Sequence, residues 1–406
     1  MIAPRSRKRL AGVILLVILG LVALAGLAAR AAQAQSIPPT NPMTHLFEIT
    51  SQVDVQATVA AKQAATLGTV AVITSTVQTA DIGLRLQALR QGGTGGSPSG
   101  LSLNFAGPPD LLGSVASSTG SSAPSTSLSV LPSRLGAFAN ARGSFGNQDM
   151  TSREPGFDFH TVGVTLGGDY RFTDDFILGL AFAYLRTKVD LDSSAGDSTA
   201  NNYSLSAYTN YYVLERLYVD AITTFGWNTF DTERTNTGGN GTAKGSTDGP
   251  QFSVSVGSGY NFNVGALTFG PAIRVDYMRV HIDSYGETGA GSSNAHIDSQ
   301  TIESLTTSLG GQAAYAINMG WGVLTPFLRP EWVHEFKGDS RGVTATVTPA
   351  VVTVQTNNPD RDYFNLGVGA SATFKGGVSA FFDYDVALGR ENFTSHSFTA
   401  GVRIEF

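Results

Sequence analysis

The chain has 406 residues, no cysteine, 47 glycines and a formal net charge of −6, with only 14% of its residues charged. Soluble proteins usually carry roughly 25% charged residues, so this surface is too poor in charge for an ordinary water-exposed protein. Disulfide and thiol chemistry are excluded, and nucleic-acid binding with them, because no basic tract follows the first ten residues.

The N-terminus carries export signals. Residues 5–9, RSRKR, precede an apolar run over residues 10–29, and Ala32, Gln33 and Ala34 follow as a small-residue cleavage site. Residues 1–34 therefore read as a secretory signal peptide cut between Ala34 and Gln35, and the Sec export machinery is the expected partner. The apolar run is also near the length that spans a bilayer, so an uncleaved anchor competes with this reading. A downstream barrel would not sit in an inner membrane, which favours cleavage.

Residues 35–91 form a short passenger with a helical pattern. Asn41 suits an N-cap, Pro42 the first helical position, and Leu46, Ile49, Val53, Ala57, Ala60, Ala64, Leu67 and Ala71 recur every three or four residues. This is an amphipathic pattern. Gly92-Gly93 marks a stop, with Arg85 and Arg90 in the last turns, where cations suit the helix dipole. Residues 69–77, TVAVITSTV, are dense in β-branched side chains and fit a strand as well as a helix. An unbroken helix over the whole stretch would be about 70 Å long, so a break is expected near Gly68. Residues 92–130, rich in Gly, Ser and Pro, read as a linker.

From residue 131 onward the pattern changes to period two. Phe176, Leu178, Leu180, Phe182 and Tyr184 alternate with Ile177, Gly179, Ala181 and Ala183, and the last strand sets Phe398, Ala400, Val402, Ile404 and Phe406 against Ser397, Thr399, Gly401, Arg403 and Glu405. Twelve such strands of 10–16 residues are predicted, joined alternately by short turns and by long polar loops around residues 190–200, 236–250, 284–299 and 337–361. Short turns on one rim and long loops on the other are the signature of an up-and-down transmembrane barrel. A soluble sandwich also alternates, but its polar face would be rich in Lys and Glu. Here that stripe is Ser, Thr, Gly and Asn. Aromatic residues gather at strand ends, among them Tyr170, Phe172, Phe176, Phe262, Trp321 and Phe374, with Tyr184 and Tyr277 toward the other rim, as membrane-boundary girdles do. An even strand number lets the last strand pair with the first, near residues 135–145, and leaves no open edge in lipid. The fold class expected is all-β, a twelve-stranded antiparallel transmembrane β-barrel preceded by a short helical and linker region.

Residues 131–406 resemble the C-terminal translocator β-barrel of the autotransporters, the type V secreted proteins of Gram-negative outer membranes. The likeness rests on GVTLGGDYRFTDDFILGLAFAY (163–184), LTPFLRPEWVHEFKGD (324–339) and SAFFDYDVALGRENFTSHSFTAGVRIEF (379–406). The resemblance implies a lumen occupied by the segment before the first strand, and export of an N-terminal passenger. It also implies that Phe406, with Ile404, Val402 and Phe398, is read by the outer-membrane barrel assembly machinery. This chain departs from the family upstream, where it has only a short, repeat-free passenger. The plug is then the helix over 44–90, its second half, or only residues 127–135.

Enzyme chemistry finds little support. His396 and Ser397 are adjacent on a strand and so point to opposite faces, and no G-x-S-x-G elbow occurs. The acid-rich strings DRD (360–362) and DYD (383–385) are the nearest approach to a metal site, but Asp383 and Asp385 share the lumen face with several arginines. Arg142, Arg274, Asp276, Arg329, Glu331, Asp383, Asp385 and Arg403 are expected as partnered lumen charges. No catalytic residue, cofactor or metal is expected. The function read from the sequence is a monomeric barrel in outer-membrane lipid that exports or displays its own short passenger. A passive porin-like channel and a structural or adhesive barrel are the alternatives.

Overall fold

The computed structural model describes residues 52–90, 134–192, 195–235, 241–374 and 377–405. The expected cleavage site at Ala34 and Gln35, the linker and Phe406 lie outside the described residues.

Twelve long strands form the wall: β1 (Leu135–Gln148), β2 (Phe157–Arg171), β3 (Phe176–Leu191), β4 (Gly196–Leu214), β5 (Leu217–Thr235), β6 (Thr242–Tyr260), β7 (Leu267–Ile282), β8 (Gln300–Tyr315), β9 (Gly322–Glu335), β10 (Asp362–Phe374), β11 (Val378–Leu388) and β12 (Phe393–Glu405). Each pairs antiparallel with its neighbours, and β12 returns to β1 in unbroken register from Gly136 opposite Glu405 to Gln148 opposite Phe393. The sheet therefore closes. Two three-residue stubs, Phe262–Val264 and Ile317–Met319, extend it at the short-turn rim.

Closure sorts the side chains by parity. Val162, Leu180, Leu205 and Phe225 point outward and are 57–63% exposed, with Phe182, Phe398, Val402 and Ile404 also on this face. Thr165, Asn202, Ser206 and Thr224 point inward and are fully buried. In water such an apolar exterior would be strongly unfavourable; against hydrocarbon it is the stable arrangement. Ring contacts tie the short-turn girdle together, with Tyr170 4.9 Å from Phe172 and Trp321 5.1 Å from Phe374.

Four expectations need correction. The segments around 190–200 and 236–250 are not long polar loops. They are mostly strand, because β3 to β6 run far past the aromatic girdle and reach 16–19 residues each. The other two loops carry a separate four-stranded sheet, made of Tyr285–Gly286, His296–Ile297, Gly342–Val347 and Ala350–Gln355. No helix break occurs at Gly68: one helix, α1, runs over Gln52–Arg90. Its 39 residues correspond to about 58 Å.

Residues 69–77 are thus helical, despite their β-branched content. The hydroxyls of Thr58, Thr66, Thr74 and Thr79 donate to carbonyls three or four residues back, so the helix satisfies much of its own polar surface. The amphipathic expectation also fails. Apolar Ala57, Ala61 and Leu67 and polar Thr66, Gln78 and Asp81 are alike buried, because the wall surrounds the helix.

Candidate functional site

Helix α1 lies inside the barrel, and its outer and inner halves are held differently. Along the outer half, Ala57, Ala60, Ala61, Ala64 and Leu67 pack with Phe159, Leu185, Val189, Phe230 and Val280 from the wall. Val343, Ala345 and Val347 of the separate sheet join the same core, so that sheet caps the helix. Gln63 donates to the carbonyls of Glu233 and Asp197 at 2.9 and 3.2 Å, and Lys62 to Ser152 at 3.3 Å. All three acceptors belong to the long-loop rim. Fully buried Arg234 joins Glu287 of the 284–299 loop and Gln56 of the helix.

Gly68 has a specific reason to be glycine. The Arg341 guanidinium crosses the helix there, donating to the Ala65 carbonyl at 3.1 Å, and a Cβ on residue 68 would collide with Arg341 Nη2. The missing side chain admits a close approach rather than a bend. Burial holds the Arg341 guanidinium below its ordinary pKa.

The inner half is held by charge. Asp81 accepts from Arg142 of β1 at 2.9 Å and from the Thr165 hydroxyl of β2 at 3.1 Å. One turn on, Arg85 donates through Nε to Asp169 of β2 at 2.8 Å, and the Tyr208 hydroxyl donates to the same oxygen at 2.9 Å. Arg90 pairs with Asp220 of β5 and lies 4.3 Å from the Tyr218 ring centroid. Leu89 and Arg134 border the same small crevice at the short-turn rim, so α1 ends where β1 begins.

Of the expected lumen charges, Arg142, Arg329, Asp383 and Asp385 come together: Arg329 Nη2 is 2.6 Å from Asp385 and 3.6 Å from Asp383, and Arg142 Nη2 is 3.9 Å from Asp385. Arg274 holds Asp276 at 3.1 Å and Glu331 at 3.2 Å, and Arg329 meets Glu331 at 4.0 Å. Arg403 stands apart and pairs with Glu405. Asp81, Asp169, Asp220, Tyr208 and Arg341 were not singled out by the sequence. A usable signal was present: between Lys62 and Asp81 the helix has no charge at all, so Asp81 and Arg85, four apart, mark one charged face. His396 and Ser397 do lie on opposite faces, His396 accepting or donating with the Tyr384 hydroxyl at 2.8 Å and Ser397 meeting Ser144 at 2.8 Å.

Within the wall the helix packs most closely against β3, β4 and β5. On the opposite side a cavity of about 960 Å³ remains, lined by Gln87, Arg90, Arg274, Glu331, Tyr363 and Arg390 among others. It reaches from Gln312 near the short-turn rim to Asn357 at the outer end.

A closed barrel with a lipid-facing apolar belt and a helix sealed into its lumen is a plugged transmembrane β-barrel protein. The Autotransporter beta-domain family model matches residues 137–385, and the chain belongs to that family. It is a Gram-negative outer-membrane protein.

The chain is 28% identical to esterase EstA of Pseudomonas aeruginosa over 211 residues, covering 50% of this chain and 31% of that protein. It is 26% identical to outer membrane protein A of Rickettsia conorii over 291 residues, covering 68% of this chain and 14% of that one. The match thus spans less than a third of these relatives. Among solved structures, the translocator domain of the autotransporter NalP from Neisseria meningitidis superposes with a TM-score of 0.56 at 17% identity, over 68% of this chain and 89% of that one. The β domain of the Bordetella autotransporter BrkA gives 0.52 at 16% identity, over 67% and 100%. At these identities the likeness is one of fold.

Proposed function

We propose that this barrel carries its own N-terminal segment through the outer membrane and keeps helix α1 in the lumen afterward as a plug. The observation that carries this reading is the direction of the helix. Its first turns meet Ser152, Asp197 and Glu233 at the long-loop rim, and its last meet Asp169 and Asp220 at the short-turn rim. Short turns face the periplasm and long loops the exterior in such barrels. Residues 35–51 are then delivered outside, while residues 92–130 connect the plug to β1 on the periplasmic side.

In this reading residues 1–34 are removed after Sec-dependent export. The assembly machinery recognises the terminal strand through Phe398, Val402, Ile404 and Phe406. The barrel acts as a monomer, without catalytic activity or a cofactor; esterase activity belongs to EstA by its name and is not carried over. No nucleotide is used, so the free energy of export comes from folding and assembly.

The chain has no cysteine, which makes single-cysteine labelling clean. On intact cells, a membrane-impermeant maleimide is expected to label His45→Cys and to leave Gly95→Cys untouched. Labelling of Gly95→Cys with protection of His45→Cys would overturn the proposal. The cavity beside the helix favours a second reading, a narrow passive channel. Planar-bilayer conductance separates the two: a plugged translocator conducts weakly until residues 52–90 are deleted, whereas a porin conducts equally with and without them.

A further inference from the structure

Beyond export, the outer wall carries a group of side chains with no role in holding the plug. On β2, β3 and β4, two consecutive cross-strand rows face outward. One contains His160, Lys188 and Thr199; the next contains Val162, Arg186 and Asn201. Directly beneath lies the row Val164, Tyr184 and Tyr203, which continues to Trp227 on β5. Tyr184 and Tyr203 have ring centroids 5.0 Å apart and form part of the outer aromatic girdle.

The cations therefore emerge sideways, one and two rows past the girdle, at the depth of lipid headgroups rather than in the loops above, with Asp231 continuing the Lys188 row and the carboxylates of Asp158, Asp190 and Asp197 in the row beyond. His160, Arg186 and Lys188 are all exposed. Lys188 is steadied by Asp190 at 2.7 Å, while Arg186 has no hydrogen bond or ion pair among the described residues. Asn201 accepts from the Tyr184 hydroxyl at 2.9 Å through its carbonyl oxygen, which leaves its amide as a donor. Elsewhere on this rim Lys244 pairs with Glu233 at 2.6 Å, Lys337 with Glu303 at 3.1 Å, and Arg361 with Asp339 at 2.7 Å, while Arg279 on β7, like Arg186, is exposed without an ion pair among the described residues. Two rows by three strands make a patch roughly 10 Å by 7 Å, the size of a phosphorylated sugar.

We propose that His160, Arg186, Lys188, Thr199 and Asn201 form a binding site for the phosphorylated glycolipid headgroup of the outer leaflet. The Arg186 fork suits bidentate contact with a phosphate, Lys188 and His160 add donors from either side, and Thr199 and Asn201 supply neutral donors to the sugar. The acyl chains then lie along the apolar belt at Val162, Val164 and Leu180. The sheet fixes the five backbone positions, so the ordering cost of binding falls on the Arg186 and Lys188 side chains.

The test uses the full chain in non-ionic detergent, with bisphosphorylated lipid A, the same lipid A after dephosphorylation, phosphatidylglycerol, and inorganic phosphate as competitor. Bisphosphorylated lipid A is expected to bind best, and Arg186→Gln with Lys188→Gln to weaken it roughly tenfold to thirtyfold, the factor for two cations at an anionic interface. The double variant should keep the heat-modifiable gel mobility of a folded barrel, since both side chains are exposed. Asp190→Asn, which frees Lys188, should tighten binding roughly twofold. Equal binding of dephosphorylated lipid A or of phosphatidylglycerol would overturn the proposal. So would displacement by inorganic phosphate, or an undiminished preference in a folded double variant.

Discussion

The same strands behave oppositely in their two halves. Between the girdles, β3 turns Leu178, Leu180 and Phe182 outward, and β2, β4 and β5 turn Thr165, Ser206 and Thr224 inward. Past the outer girdle, β3 turns Arg186, Lys188 and Asp190 outward, while Leu185, Val189, Phe159 and Phe230 face inward. Parity never changes; polarity does. Where lipid surrounds the wall, the interior is the polar compartment. Where water surrounds it, the interior becomes an ordinary hydrophobic core. The plug follows suit, with an alanine-rich outer half and a charged inner half. The difference teaches that each level of the barrel is matched to the solvent outside it.

Breaking one buried ion pair in the inner half is the severest test of that contrast. Asp169→Ala strands Arg85 in the lumen and should destabilise the barrel by about 3–5 kcal/mol in urea unfolding from lipid vesicles. Adding Arg85→Ala should recover a large part of that loss. On the outer wall, Leu205→Lys places a charge in lipid and should cost about 2–4 kcal/mol. Asp231→Lys, outward on the next strand but past the girdle, should change stability by no more than about 0.5 kcal/mol. Equal effects at the two positions would refute the proposed boundary between lipid and water.

Smaller changes sharpen the account of the outer core. Gly68→Ala forces the Arg341 guanidinium off the helix and should cost roughly 1–3 kcal/mol. Combining it with Arg341→Ala should restore thermal stability; if the pair is no better than Gly68→Ala alone, the close approach is not what requires glycine. Val343→Ala opens a void between cap and helix and should cost roughly 1–2 kcal/mol, read as a lowered unfolding midpoint without loss of assembly.

Much of the wall was legible because a strand's side chains alternate with period two whatever surrounds it. That rule alone placed Phe398, Val402 and Ile404 outside and Ser397, Thr399 and Arg403 inside. It did not reveal how far β3 to β6 continue, because the inversion of polarity past the girdle makes residues such as Lys188 and Asp190 look like loop. The plug was less legible still. Thr74 and Val77 have strand propensity, and only enclosure by the wall, with hydroxyls turned back onto helix carbonyls, makes a helix of them.

The sequence by itself determined the barrel: its strand number, its two faces and its closure all follow from local alternation and the need to pair every backbone group in lipid. Only the tertiary structure decided which charges meet. Asp81 with Arg142, Arg85 with Asp169 and Gly68 with Arg341 join positions far apart in the chain, and no local period encodes such pairs. They exist because a helix confined in a lumen must satisfy its buried charges with whatever the wall presents at that depth.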